Sequence, residues 1–439
     1  MKAPLNWKPG IDYWRALGLL LLLKVGYLYV HGPVFLPESE TWLTSGVSVL
    51  NPPIYGWWIK GLMQIYPSPY TIIIAQILLF SAALAGLLQV LLNSRKLFYI
   101  ATVLLAFDPN SADACNSLYP GAVYLSLLFI GLAIFHLYLR TPTPWALLGM
   151  VVISTLVFLT RFQGLILLIL YVFYLPFFAA HRRYWWRTSL ILIAGFQLML
   201  IPVRMYYSAQ LDTWWLNGYT GMSVWNGATV NYCKSSPRVD PRTKFEVFAA
   251  YKSCQSYSIQ HAVTGWHLKA PHSTLNLYLE NKSYKAPEMV SFSEELFRTS
   301  LRIILQHPGG YILQYVIPNI TRILIEDEEI HLPLSETLIK QFKYYPLRDI
   351  HNYNFYNRSY VWIGISLMIF NLLFQVWLHN SIGFISILNI GYFLSTSIMG
   401  PLQTHEFLLL SPLILINVVF LWDKLYYRNK YFRFAYRGL

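Results

Sequence analysis

The chain carries ionisable side chains at the ends of long apolar runs, where few charged residues are expected. Glu38 and Glu40 follow the first apolar run, Asp108 ends another, and Arg161 and Arg204 lie near the ends of two more. Carboxylates can take up protons, and guanidinium groups bind anions through paired N–H donors. An ionisable group beside a membrane helix is costly to keep, which makes it a functional hypothesis by default. The pattern predicts one shared polar cavity.

Three further ionisable residues belong to the same pattern. His405 and Glu406 open the last apolar run, and Lys24 lies in the middle of the first one. Each residue in the pattern also has a purely structural interpretation, because a glutamate can cap a helix, an arginine can reach out to water, and a histidine can bond between helices. We expect Lys24 either to pair with an acid inside the bundle or to form the floor of the cavity.

The composition indicates which solvent the chain requires. Its 439 residues are 56% hydrophobic and 12% charged, and the mean hydropathy is +0.42. Soluble domains carry about 25% charged residues, so a chain this apolar uses lipid as its solvent. The net charge of +13 comes from short basic tracts between apolar runs, which indicates membrane orientation and not nucleic-acid binding. The predicted fold class is an all-α polytopic membrane protein.

The apolar runs predict about ten membrane-spanning helices, since roughly 20 apolar residues are needed to cross the hydrocarbon core. Polarity rises between residues 207 and 358, which predicts an extracytoplasmic domain of α or mixed structure. This domain would separate an N-terminal bundle of seven helices (1–206) from a C-terminal membrane part with a basic tail (359–439). The predicted spans are 14–32, 70–92, 97–114, 119–139, 145–160, 162–180, 187–206, 359–378, 380–398 and 403–422.

Basic residues alternate between the predicted loops and so predict the orientation. With the N-terminus inside, the inner segments hold Arg95, Arg140, Arg182 and the basic tail, whereas the short outer turns hold almost no basic residue. The positive-inside rule then places both termini in the cytoplasm and residues 207–358 outside. The chain would lie in a plasma or inner membrane, or in the endoplasmic reticulum.

One apolar stretch in the outer domain has two interpretations. Residues 309–325 are apolar but contain Pro318 and Arg322. We expect an interfacial or buried helix here, and a membrane span is the alternative. A span would force the basic tail outside, which favours the ten-span arrangement.

Three cysteines fall on the predicted outer side, where disulfides can persist. Cys233 and Cys254 could pair across a loop of moderate length. The alternative is three free buried thiols, with Cys115 as the third.

The order of several short motifs resembles that of the C-type (GT-C) membrane glycosyltransferases, in particular the protein O-mannosyltransferase and aminoarabinose-transferase relatives. The first outer loop, 33–69, contains PESETW at 37–42 and PPIY at 52–55, which are similar to the family's acid-bearing and P-P-L-Y-like elements. LTRFQG at 159–164 resembles an L-T-R-P-x-G-like element, and PVRMY at 202–206 resembles the P-W-x-x-R-N-like element before the outer domain. The resemblance covers most of the chain by order and spacing.

Two departures from the family's pattern concern the candidate site. The family's acid is usually an aspartate, whereas this chain offers Glu38 or Glu40. The family's last helix often opens with an E-x-R-Y-like element, whose arginine is missing from HEF at 405–407. Either departure fits an altered substrate or a catalytically inactive relative.

The resemblance implies a reaction and a role for each candidate residue. Such enzymes move a sugar from a polyprenyl-phosphate carrier to a lipid, glycan or protein acceptor on the outer side. A carboxylate, Glu38 in preference to Glu40, would take the proton of the acceptor hydroxyl and give inversion at the anomeric carbon. Arg161 and Arg204 would bind the donor phosphate, with His405 as a weaker donor. The remaining substrate-binding candidates are Tyr55, Asp108 and Glu406.

No cofactor is assigned from the sequence. The chain has no Gly-rich nucleotide-binding loop, which fits a lipid-linked donor. The acidic run at 326–329 could attract a divalent cation, although a solvated loop is the commoner structure for such a run.

Two other functions remain open at this stage. A non-catalytic subunit could keep the GT-C architecture after losing its base. A transporter or flippase of lipid-linked saccharides is the third hypothesis, but the chain lacks the matched, Gly- and Pro-broken halves that favour transport.

The predicted orientation can be tested at the basic tail. A cysteine introduced beside Arg433 should not react with a membrane-impermeant thiol reagent in intact cells, because the tail is expected in the cytoplasm. The same cysteine should react after the cells are opened. Labelling in intact cells would contradict the ten-span arrangement.

Overall fold

The structure, a computed structural model, describes residues 10–35, 39, 42–43, 52–92, 94–177, 184–214, 216, 224–225, 227–228, 286–325, 340, 366, 412–420 and 422–423. Within these ranges the chain is mostly helical and contains no strand beyond an isolated bridge between Val34 and Ser117. The helical class therefore agrees with the prediction. The helices are α1 (Ile11–His31), α2 (Pro53–Ile65), α3 (Pro69–Leu91), α4 (Arg95–Phe107), α5 (Pro109–Asn116), α6 (Gly121–Arg140), α7 (Pro144–Thr160), α8 (Leu165–Tyr174), α9 (Trp185–Leu211), α10 (Ala286–Gln306), α11 (Pro308–Tyr311) and α12 (Ile317–Ile325).

Four of the described helices, α1, α3, α6 and α9, are long and apolar enough to cross a membrane. They identify the chain as an integral membrane protein. Helices α7 and α8 are also apolar but shorter. The count of ten spans stays a prediction, because 359–378, 380–398 and most of 403–422 lie outside the described residues. The orientation and the domain boundaries stay predictions as well.

Helices α3 and α6 form the centre of the N-terminal bundle. Helix α3 packs against α1 and α6, and α6 packs in turn against α7. Between α3 and α6, the rings of Phe80 and Phe129 meet edge to face with their centroids 5.5 Å apart. Most residues of both helices are themselves buried, as expected for helices in the core of a membrane bundle.

The predicted span at 97–114 is wrong in its extent. Helix α4 has 13 residues and ends at Phe107, which makes it about 20 Å long and shorter than the hydrocarbon core. The break comes at Asp108, which is extended (ψ 113°) because it precedes Pro109. The chain then starts the separate short helix α5, with Pro109 in its first turn.

The chain also breaks sharply between α7 and α8. Arg161 is extended, with φ −149° and ψ 129°, and the 3-10 turn Phe162–Gly164 follows it. A Cβ atom on Gly164 would lie 2.6 Å from the backbone carbonyl carbon and oxygen of Val157. Only glycine therefore allows this turn to fold back so closely on the last turns of α7. The glycine of LTRFQG therefore allows the close turn that follows Arg161.

Helix α2, which begins within PPIY of the first outer loop, is amphipathic. Its buried side includes Tyr55 and Ile59, whereas Lys60 and Ile65 are exposed. Trp57 meets Tyr206 of α9 edge to face, with ring centroids 5.6 Å apart. Such a helix suits the membrane interface.

The ambiguous stretch 309–325 is helical and is not among the four candidate spans. A π-helical turn, Ile312–Val316, joins α11 to α12, just before Pro318, whose ring nitrogen cannot donate a helical hydrogen bond. Tyr315 is buried, whereas Ile312 and Leu313 are exposed. Exposed apolar side chains of this kind suit an interfacial helix and a lipid-facing span alike, so the position of 309–325 relative to the membrane stays a prediction.

Replacing Gly164 by alanine should destabilise the folded protein. The added methyl group would overlap the main chain of Val157, and overpacking of this kind costs about 1–3 kcal/mol. The apparent melting temperature of the purified protein in detergent should fall by several degrees. Gly18→Ala is the matched control, because no atom lies within 4 Å of a Cβ at that position. Equal melting temperatures for the two variants would mean that the turn after Arg161 relaxes without cost.

Candidate functional site

Helix α5 is a polar helix buried inside an apolar bundle. The seven residues from 110 to 116 are all buried, and they include the polar side chains of Asn110, Ser111, Asp113 and Asn116. Helix α5 packs against α1, α3, α4 and α6. A buried polar group costs free energy unless it is hydrogen-bonded. Helix α1 supplies hydrogen bonds to Ser111 and Asp113, whereas within the described residues Asn110 Oδ1 and the side-chain amide of Asn116 have no hydrogen-bond partner. This concentration of buried polar groups makes α5 the centre of the candidate site.

The first turn of α5 is held by its own cap and by a lysine from α1. The carboxylate of Asp108 accepts a hydrogen bond from the Ser111 backbone N–H at 2.9 Å, the usual contact of an N-cap residue. Lys24 Nζ donates to the Asp108 carbonyl oxygen at 3.0 Å and to Ser111 Oγ at 2.6 Å. Lys24 thus bonds to the start of the polar helix, and the expectation that it pairs with an acid or forms the floor of a cavity stays a prediction.

Asp113 lies one turn after the start of α5 and also accepts a hydrogen bond from a residue of α1. The Tyr27 hydroxyl donates to Asp113 Oδ1 at 3.1 Å. The His31 ring packs on the Tyr27 ring with centroids 4.3 Å apart. Asp113 is buried, so α1 supplies polar contacts to two successive turns of α5.

The first outer loop begins directly beside the end of α5. Gly32 ends α1 with a φ of 71°, a conformation that favours glycine. Val34 then donates to the Asn116 carbonyl oxygen at 2.9 Å and accepts from the Leu118 N–H at 3.1 Å. Ser39 Oγ donates to the Leu118 carbonyl oxygen at 2.8 Å. The predicted bases Glu38 and Glu40 flank Ser39 in the sequence but lie outside the described residues.

A second polar chain joins α2, α3 and α5. The Tyr55 hydroxyl donates to Gln76 Oε1 at 2.8 Å. Gln76 Nε2 donates to the backbone oxygens of Cys115 and Ser117 at 3.0 and 2.9 Å. Burial, together with the nearby Tyr119, raises the pKa of Tyr55 well above its ordinary value, so its hydroxyl stays protonated and donates. The side chain of Tyr55 is fully buried, and its predicted substrate-binding role stays a prediction.

Arg161 lies at the break between α7 and α8 and is buried. Its Nη2 donates to the Tyr119 hydroxyl at 3.1 Å. Its guanidinium carbon lies 5.4 Å from the centre of the Tyr119 ring and 5.6 Å from that of Tyr124, within the range of cation–π attraction. Tyr119 lies three residues after the last residue of α5, so this contact brings Arg161 to the segment that directly follows α5.

The side chain of Arg204 is held differently from that of Arg161. It lies inside α9, and its Nη2 donates to Gln197 Oε1 of the same helix at 3.1 Å. A long helical side chain points back toward the helix N-terminus, which explains a partner two turns earlier. Arg204 is thus bound along its own helix, and its predicted role toward the donor phosphate stays untested. His405 and Glu406 lie outside the described residues.

Sequence reasoning missed several members of this assembly, including Asp113, Gln76 and Tyr119. Asp113 has a sequence signal, because the polar run PNSADACNS at 109–117 interrupts apolar residues. Gln76 and Tyr119 have no comparable signal, since a single glutamine or tyrosine is common in membrane helices and turns. The predicted residue Asp108 belongs to the assembly, but its carboxylate caps α5, and its substrate-binding role stays a prediction.

Cys115 is a free, buried thiol in α5. Burial raises its pKa to about 12, although the nearby Lys24 acts in the opposite direction. The thiol is therefore protonated at neutral pH and unreactive. Cys233 and Cys254 lie outside the described residues, so their pairing stays a prediction.

No group of three or more His, Cys, Asp or Glu side chains that could hold a metal ion occurs within the part of the chain that the structure describes. The acidic run at 326–329, the candidate for a divalent cation, lies outside that part.

Comparisons with known proteins give one distant structural neighbour. No protein family matches the sequence, and no curated protein matches it. The archaeal oligosaccharyltransferase AglB from Archaeoglobus fulgidus, solved in complex with an inhibitory peptide and a dolichol-phosphate, aligns with a TM-score of 0.46 and 10% sequence identity. The alignment covers 99% of this chain and 52% of that one, so this chain spans about half the length of its neighbour. Similarity at this level establishes neither a common fold nor a common activity.

Replacing Gln76 by leucine should destabilise the bundle more than replacing Tyr55 by phenylalanine. Leucine at 76 would leave two backbone oxygens and the Tyr55 hydroxyl without their partner, and each buried unsatisfied group costs about 1–3 kcal/mol. Tyr55→Phe leaves a single buried group, Gln76 Oε1, without its partner, so it should cost about 1–3 kcal/mol once. Melting temperatures of the single and double variants would measure both effects, and the double variant should lose less than the sum. A Gln76→Leu protein as stable as the wild type would contradict the polar chain.

Proposed function

We propose that this protein is a membrane glycosyltransferase that moves a sugar from a polyprenyl-phosphate carrier to an acceptor on the extracytoplasmic side. The observation that carries the proposal is the buried polar assembly around α5. In it, an acid-bearing helix lies beside the start of the first outer loop, and a buried arginine lies at a neighbouring helix end. Such a concentration of ionisable groups in an apolar bundle is expected at a functional site. The order of the GT-C-like motifs in the sequence supports the same function.

In the proposed reaction, the oxygen of the acceptor hydroxyl attacks the anomeric carbon while the bond from that carbon to the phosphate oxygen breaks. The hydroxyl proton passes to a carboxylate, and the electron pair of the broken bond leaves with the polyprenyl phosphate. A single displacement inverts the anomeric configuration. Glu38 remains the preferred base and Glu40 the second candidate. Asp113 joins them, because it lies on α5 beside the start of the same loop.

The departing phosphate needs a cation that is fixed before the bond breaks. Arg161 suits this role, because its guanidinium is buried and oriented by Tyr119 and Tyr124. An arginine can present two parallel N–H donors to phosphate oxygens. Arg204 and His405 are the additional candidates for this contact, and Tyr55, Asp108 and Glu406 for contacts to the sugar or the acceptor.

A non-catalytic subunit with the same architecture is the second candidate function. The observation that favours it is that both described acids of the assembly already have structural contacts. Asp108 caps α5, and Asp113 accepts from Tyr27. In that case, the assembly would bind a lipid-linked sugar without transferring it.

Transfer and donor binding should be measured separately on purified protein in proteoliposomes, with a panel of polyprenyl-phosphate sugars. Glu38→Gln should lower turnover by about a hundredfold or more, roughly the contribution of a general base, while donor binding persists. Arg161→Ala should weaken donor binding by about 2–3 kcal/mol through loss of a charge-assisted contact. Arg95→Ala is the matched arginine control, because Arg95 is exposed and pairs with Asp12 at 2.7 Å.

The outcomes separate the two candidate functions. Binding of a donor without transfer by the wild-type protein would support the non-catalytic subunit. Full transfer by the Glu38→Gln, Glu40→Gln and Asp113→Asn variants would remove all three carboxylates from the role of base. Unchanged donor binding in Arg161→Ala would remove that arginine from the phosphate site.

A further inference from the structure

Lys24 occupies a position where the helix pattern calls for an apolar residue. The buried residues of α1 are Ala16, Leu20, Lys24 and Leu28, which recur every four residues and form one stripe along the helix. Lys24 is fully buried in that stripe. An ammonium group at this depth is costly unless several polar partners compensate it. The structure therefore has to account for a lysine in place of a leucine.

The partners of Lys24 all belong to the start of α5. Its Nζ donates to the Asp108 carbonyl oxygen and to Ser111 Oγ. Ser111 Oγ also lies 3.3 Å from the Leu105 carbonyl oxygen, at the end of α4. A lysine at the positive end of a helix dipole is unfavourable, so its position is explained by these hydrogen bonds and by the nearby carboxylates of Asp108 and Asp113.

The contacts of Lys24 fix α5 against α1 at the point where the chain has broken. Asp108 separates α4 from α5, so no continuous helix sets the direction of α5. Lys24 bonds to both Asp108 and Ser111, and Tyr27 binds Asp113, two residues after Ser111. Together these contacts determine where Asp113 lies relative to the first outer loop.

We propose that Lys24 is a positioning residue for the transfer reaction: its ammonium group holds the start of α5, and through α5 it fixes the place of Asp113 and of the loop segment bonded to residues 116–118. The kinetic part of this inference rests on the proposed function. The structural part, that Lys24 holds α5 in place, does not rest on it, because the labelling rate of Cys115 measures it without any transfer reaction.

Cys115 reports the position of α5 directly. Its thiol is buried in that helix, and Gln76 binds its backbone oxygen. In Lys24→Met, which keeps a side chain of similar length without charge or donors, we expect Cys115 to react with a maleimide about tenfold faster, because α5 opens more often. Mass spectrometry of the full-length protein would identify the labelled residue. Lys24→Arg should restore most of the protection, and Lys60→Met, at an exposed lysine of α2, should change nothing.

The kinetic measurement separates positioning from general damage. A displaced carboxylate should lower kcat by on the order of 100-fold while the KM for the donor changes by less than about twofold. Lys24→Arg should recover most of kcat. A loss caused only by misfolding would instead reduce the amount of active protein in both variants and lower the melting temperature in parallel.

Several results would overturn the inference. Unchanged Cys115 labelling together with unchanged kcat in a folded Lys24→Met protein would overturn it. A large rise in donor KM with Cys115 still protected would also overturn it, because Lys24 would then be a substrate contact. If Lys24→Met does not fold, Ser111→Ala removes the partner at 2.6 Å and keeps the lysine; slow labelling equal to that of the wild type would then contradict the inference. Absence of transfer by the wild-type protein would refute the proposed function, and the labelling would still decide the role of Lys24.

Discussion

The described bundle depends on satisfying the polar groups of α5, a helix whose residues 110–116 are all buried. Burial removes these groups from water, so each group left without a protein partner costs free energy. Helix α1 supplies Lys24 and Tyr27, and helix α3 supplies Gln76. These contacts are energetically asymmetric: each adds little in net terms, but loss of one leaves a buried group unsatisfied. The arrangement of α1 and α3 around α5 is therefore strongly constrained.

The same constraint connects the membrane helices to the outer loop. The end of α5 presents the Asn116 oxygen and the Leu118 N–H to Val34, and the Leu118 oxygen accepts from Ser39. Any shift of α5 would therefore move the beginning of the loop that carries the predicted base. A polar side chain in the middle of α1 can in this way influence the position of that loop. Coupling of this kind needs no conformational switch, because it follows from fixed hydrogen bonds along one short helix.

Much of the described fold could be predicted from the sequence, and the site only in part. Long apolar runs were sufficient to predict α1, α3, α6 and α9, because membrane spans are set by length and apolarity alone. The same criterion failed at Asp108–Pro109, where the residue before a proline leaves the helical region and the polar run 109–117 follows. The partners of Lys24 lie 84 and 87 residues away in the chain. No local pattern encodes such a pairing, and Gln76 and Tyr119 were missed for the same reason.

Arg161 and Arg204, which the sequence motifs assign to the same phosphate, differ in the backbone conformation that orients their side chains. Arg161 is an extended residue between two helices, and the close turn at Gly164 fixes the chain just after it. Its guanidinium therefore enters the assembly beside Tyr119, a direction that regular helix geometry does not impose. Arg204 is part of a continuous helix, so its side chain follows the helix back toward Gln197. A binding group that must meet a departing phosphate has to be oriented before the reaction. By that criterion, Arg161 at a broken helix end suits the proposed anion site better than Arg204 does, and Gly164 supports it by fixing the backbone next to it.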